Sequence, residues 1–221
     1  MIPLRYIFIL FIFVSLMNFS LPAFADSLKE KIGVLQVLPL KFGVNEFTVK
    51  GNKVMIVKGA HLSDTAGGGD TYQTLIEMKY PHAISKENPF WQSVAVDDAG
   101  SFIDLQETAP HTFEDALTSI QFLIEKNEVG SNNLSSLYVF RSKRDFPGVL
   151  TDPSFSRLSL YALKYSSADI GGMVYFEPVG AMKTKKRYGS ADCAAYIELG
   201  VALPAYIEKS ACQQSTVPAK P

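Results

Sequence analysis

Apolar and polar residues alternate along much of this chain in short runs, and clusters rich in glycine, proline, asparagine and aspartate separate them. The clearest run interleaves Tyr72, Thr74, Ile76, Met78 and Tyr80 with Gln73, Leu75, Glu77 and Lys79. A period of two predicts a strand with one mainly apolar face, and Pro81 ends it. Upstream, Phe47 to Val49 and Val54 to Val57 predict a hairpin, because Gly51-Asn52 can take the positive φ angles of a two-residue turn. Ile32 to Leu38 predicts a first strand that stops at Pro39. Trp91 to Val96 and Phe102 to Leu105 predict a second hairpin around Asp97-Asp98-Ala99-Gly100.

From Thr112 onward the two periods compete. The spacing Thr112 to Asp115 suits a helix cap, whereas Ala116, Ile120, Phe122 and Ile124 alternate. A helical turn over Thr112 to Leu117 followed by a strand over Ser119 to Glu125 reconciles them. The β rhythm returns at Leu137 to Arg141, Leu158 to Tyr165 and Met173 to Phe176.

Short strands spaced by turns predict an all-β chain of antiparallel β-sandwich architecture, with at most a short helical turn near Thr112. A composition break at Glu107-Thr108-Ala109-Pro110-His111 divides it into two small sandwich modules, 26–109 and 110–217, ahead of a tail at 218–221. One continuous sandwich is the alternative. Ala195-Tyr196-Ile197-Glu198 returns as Ala205-Tyr206-Ile207-Glu208, which suggests two short segments folded against each other around Leu199-Gly200.

Residues 1–25 form a different kind of segment. Arg5 precedes an apolar run from Tyr6 to Met17, and Ala23-Phe24-Ala25 supplies the small-residue pattern of a signal peptide cut between Ala25 and Asp26. Cleavage there leaves 20 cations against 22 anions, a balance that argues against a nucleic-acid partner. No later stretch is long and apolar enough to span a membrane. The two cysteines, Cys193 and Cys212, allow one intramolecular pairing, and export to an oxidising compartment predicts that they are bridged.

Familiar catalytic spacings are missing. His61, His82 and His111 stand far apart, no serine has a lysine three residues later, and no Gly-x-Ser-x-Gly occurs. The sequence therefore predicts no catalytic residues, no metal and no cofactor. Candidate binding residues are Asp64, Gly67, Gly68, Gly69 and Asp70, in a glycine-rich acidic stretch expected to form a surface loop. Neither a nucleotide loop nor a helix–loop–helix calcium site matches its spacing. Arg157 is a further candidate, able to grip a carboxylate or to pair with Asp152. Lys183-Thr184-Lys185-Lys186-Arg187 is the one cationic run; a solvated loop is its plain explanation, an anionic partner the functional one.

Gly59-Ala60-His61-Leu62-Ser63-Asp64-Thr65-Ala66-Gly67-Gly68-Gly69-Asp70-Thr71-Tyr72 and Phe155-Ser156-Arg157-Leu158-Ser159-Leu160-Tyr161 resemble the carbapenem intrinsic-resistance (CarG-like) family. The resemblance implies a periplasmic, homodimeric protein of two β-sandwich modules that protects against carbapenem without hydrolysing it. Its partner would be the β-lactam itself or a periplasmic protein target. An exported adaptor that binds another protein, unrelated to antibiotics, is the rival expectation.

Overall fold

Leu28, Ile32 and Leu35 recur at helical spacing, and all three are almost wholly buried, whereas Val34 between them is 48% exposed. The chain accordingly winds as a helical segment, α1, over residues 28–33 and becomes strand β1 only at Leu35–Val37. The strand expected over Ile32 to Leu38 is thus shortened, because burying one helical stripe satisfies more apolar side chains there than alternation would. This computed structural model describes residues 28–63, 67–78, 90–98, 100–103, 105–107, 109–110, 116–145, 152–165, 174–204, 207 and 212.

The first hairpin forms as expected, with its turn one residue earlier. Strands β2 (Gly43–Val49) and β3 (Asn52–Ser63) pair from Val49 opposite Asn52, so Lys50 and Gly51 make the turn, at φ 50° and 79°. Asn52 reaches back instead, its Nδ2 donating to the carbonyls of Val49 and Lys50. Strand β3 then pairs with β4 (Gly67–Met78) over ten positions, from Ser63 opposite Gly67 to Val54 opposite Ile76.

The next stretch weaves between two sheets. Strand β5 (Phe90–Ser93) lies on β4; Val94 donates its N–H to Thr74; β6 (Ala95–Asp98) crosses to pair with β14 (Val174–Lys183). Strand β7 (Ser101–Ile103) folds back on β6, β8 (Leu105–Glu107) returns to β4, and β9 (Ala109–Pro110) crosses once more to β10 (Ala116–Glu125). With β11 (Asn133–Leu134), β12 (Tyr138–Arg144) and β13 (Ser156–Tyr165), the larger sheet runs β1-β10-β12-β13-β14-β6-β7, with β9 on β10. The smaller runs β11-β2-β3-β4-β5, with β8 on β4. Pairing is antiparallel except β11 on β2 and β6 on β14. The helical turn expected near Thr112 lies outside the described residues.

The fold is the all-β sandwich that alternation predicts. Its inter-sheet core draws Val54, Ile56, Tyr72 and Ile76 from the smaller sheet and Ile120, Phe122, Val139, Leu163 and Phe176 from the larger. Both sheets take strands from both sides of the Glu107 to His111 break. The other face of the larger sheet presents Leu123, Tyr138, Phe140, Leu158 and Leu160 to a second core closed by α1 and by helix α2 (Ala191–Leu199). The sheets and helices make three layers.

Helix α2 occupies the first copy of the Ala-Tyr-Ile-Glu repeat, where the all-β expectation allowed no helix beyond a short turn near Thr112. Two signals bracket it: the Ser190 hydroxyl accepts from the Cys193 N–H, and Gly200 at φ 67° ends it with its own N–H bonded back into the last turn. Ala191, Cys193, Ala194 and Ala195 are all buried, and such small side chains let the helix lie close on the sheet. Cys193 and Cys212 are bridged, as export predicts, with Cα atoms 5.2 Å apart.

Candidate functional site

Gly67, Gly68 and Gly69 belong to strand β4, opposite Ser63, Leu62 and His61. The loop expected there is shorter than the glycines imply, because glycine permits a turn but does not prevent a ladder from running through it. Asp64 lies outside the described residues. Asp70 is built into the hairpin: Lys58 Nζ stands 2.8 Å from its Oδ2, and the Tyr72 hydroxyl donates to the same oxygen at 3.0 Å. The Lys58 ammonium also lies 4.7 Å from the Phe42 ring centre. Lys58 is only 18% exposed along its side chain, so Asp70 has a structural duty whatever else it binds. Asp70→Ala, which leaves that ammonium with a poorer partner, is expected to cost about 1–2 kcal/mol in chemical denaturation.

Arg157 stands elsewhere, on the larger sheet. The register across β12, β13 and β14 sets Lys143 opposite Arg157 and Arg157 opposite Lys183, so three cations form one row on one sheet face. All three are exposed. Facing like charges cost a sheet roughly 0.2–1 kcal/mol per pair. Lys183 is paired with Asp145 at 2.7 Å, but among the described residues no ion pair reaches Lys143 or Arg157, and the pairing of Arg157 with Asp152 does not form.

The cationic run adjoins this row as an anchored bulge. Thr184 is buried; its hydroxyl accepts from the Ser156 N–H at 2.9 Å and donates to the Lys186 carbonyl at 2.8 Å. Tyr188 and Ser154 then exchange both backbone hydrogen bonds. Lys185 and Lys186 are left exposed at the sheet end, while Lys183 and Arg187 each sit 5.1 Å from the centre of the Phe155 ring. Sequence spacing shows the run itself; it cannot show that Lys143 and Arg157, distant in the chain, extend it.

One row further into the sandwich, Arg141 lies opposite Ser159. Its Nη1 donates to Asp98 Oδ2 at 2.8 Å, and the Tyr161 hydroxyl donates to Asp98 Oδ1 at 3.1 Å. Burial, reinforced by the charge of Asp98, raises the Tyr161 pKa, so this phenol stays a proton donor. The cluster ties β6 to β12 and β13, which explains why Asp98 lies in a strand rather than in the turn its type suggests.

Behind the sheet, Tyr188 donates to Glu198 at 2.7 Å, and burial followed by that carboxylate pushes its pKa up. Asp192, in the first turn of α2, has a raised pKa because of burial, opposed by a hydrogen bond with Ser119 and reinforced by the charge of Asp70. A carboxyl that holds its proton more tightly when folded contributes full stability below its unfolded pKa. That contribution is lost as pH rises from there through the folded value. Asp192→Asn is therefore expected to raise the melting temperature at pH 7 and leave it nearly unchanged in acid, as thermal melts at the two pH values would show.

Among the described residues no three His, Cys, Asp or Glu side chains converge as a metal site, and no helix is long and apolar enough to cross a membrane. No family model matches the chain, and no curated protein matches it. The fold is similar to that of one solved protein, "Crystal structure of CarG", at a TM-score of 0.56 and 15% sequence identity, over 80% of this chain and 99% of that one.

Proposed function

We propose that this is a periplasmic, non-catalytic protein that gives its cell intrinsic resistance to carbapenem β-lactams by binding or shielding rather than by hydrolysis. The observation that carries this reading is the fold shared with CarG across 99% of that chain, in agreement with the resemblance of the Gly59 to Tyr72 and Phe155 to Tyr161 segments to the carbapenem intrinsic-resistance family. The missing nucleophile and metal-ligand spacings support the absence of turnover. Residues 1–25 supply the export signal on this reading, and the functional unit is a homodimer. Asp64, Gly67, Gly68, Gly69, Asp70 and Arg157 remain the proposed contact residues.

Expression in a sensitive strain with the export signal intact is expected to raise carbapenem tolerance. The purified protein should leave β-lactam absorbance intact; many turnovers per protein would sink the non-catalytic reading. A monomer in analytical ultracentrifugation would remove the dimer.

A second reading, an exported adaptor, is favoured by one edge of the smaller sheet. Strand β11 covers β2 only at Thr48 and Val49. The register with β3 turns the backbone groups of Val44 and Glu46 outward, and Phe42 and Val44 are 63% and 47% exposed. Such an edge can accept a strand from another chain. Unchanged carbapenem tolerance in the exported form would favour this reading.

A further inference from the structure

We propose that the Lys143–Arg157–Lys183 row and the Lys185–Lys186–Arg187 bulge beside it form a docking surface for an anionic phospholipid membrane, independent of any action on carbapenem. Pairing across β12, β13 and β14 spaces the first three cations about 5 Å apart on one sheet face. Thr184 pins the bulge to β13, so the basic run continues that row rather than drifting from it. Six cations gather here on a chain whose formal net charge is −1. Asp145 answers Lys183, but among the described residues no ion pair reaches the other five.

Charge segregated in this way orients the molecule, because its remaining surface carries the negative excess and is repelled by anions. The form of the patch selects the partner. Lys143, Arg157, Lys183, Lys185 and Lys186 are exposed, and their long side chains stand on or beside a pleated sheet face. Phosphates that move freely in a leaflet can adjust to such cations, and four to eight clustered Lys and Arg residues are the usual signature of anionic-lipid binding. A folded acidic protein would instead have to present carboxylates in a fixed matching row. Phe155 lies beneath Lys183 and Arg187 and holds both cations together by cation–π contact.

The test is co-sedimentation of the protein, purified in its exported form, with phospholipid vesicles. It should pellet with phosphatidylcholine–phosphatidylglycerol vesicles, remain in solution with pure phosphatidylcholine, and be released at high salt, where the screening length falls to about 3 Å at 1 M. Each cation near the surface should contribute about fivefold to partitioning, so K143Q/R157Q is expected to bind about 25-fold more weakly. Both side chains are exposed, and circular dichroism of the variant should match the parent. The variant K53Q/K164Q, on β3 and at the opposite end of β13 from Arg157, should bind like the parent. Equal binding to both vesicle types, no vesicle binding at all, or unweakened binding by K143Q/R157Q would overturn the proposal. Capture on soluble polyglutamate without vesicle binding would overturn it too, and would assign the patch to an acidic protein.

Discussion

Phe122→Ala is expected to destabilise the protein by about 3–5 kcal/mol, a large share of the roughly 5–15 kcal/mol that holds a domain together. The side chain is 2% exposed at the centre of the inter-sheet core. Its ring lies 5.6 Å from that of Tyr72 on the smaller sheet and 6.4 Å from that of Phe176 on the larger. Truncation therefore removes apolar burial, opens a cavity and deletes two aromatic contacts, one between the sheets and one within the larger sheet. The position also probes how the halves of the chain depend on each other. Phe122 follows the Glu107 to His111 break, while the single tryptophan, Trp91, precedes it on β5. Because residues from both halves line one core, Trp91 fluorescence and far-ultraviolet circular dichroism should shift together to lower denaturant. A tryptophan transition that stays in place while the other moves would mean that the halves unfold separately.

Reduction of the Cys193–Cys212 bridge, or its replacement by serines, ranks next. The bridge joins residues 19 apart in sequence, and on the chain-entropy account its loss costs about 3 kcal/mol. At about 2–4 °C per kcal/mol for a chain of this size, the melting temperature should fall by roughly 6–12 °C. Both half-cystines are buried in the outer core with Tyr138, Phe140 and Leu160, so the bridge also holds Cys212 against the larger sheet. Melts with and without reductant would measure the effect, and a shift below about 2 °C would show that packing alone seats this layer.

How far the sequence carries these conclusions depends on the range of the interaction. The Phe47 to Val57 hairpin and the alternating strand after Gly69 are legible because turn φ angles and a period of two are local properties. Even there the turn was displaced by one residue: Lys50 accepts φ 50°, and the Asn52 amide is worth more as a donor to the turn carbonyls than as a turn residue. Helix α2 was missed because its two signals, the Ser190 cap and the Gly200 stop, flank a run whose alanines and cysteine have no strong period. The glycine-rich stretch reads as a loop because composition reports what a backbone can do, not what its neighbour makes it do.

The candidate site shows the same division. Asp70 and Arg157 stand out by residue type and surroundings in the chain, and the pairing of Cys193 with Cys212 follows from there being only two cysteines. Alternation by itself determined that this chain is a β-sandwich, since a period of two fits one wet and one dry sheet face. Only the tertiary structure decided that Val94 is a crossing point between sheets, that Lys58 and Asp70 form a half-buried pair, and that Lys143, Arg157 and Lys183 share one row. Strand order and register place those groups side by side, and both arise from how distant segments bury their apolar faces together, a long-range property that no local spacing records.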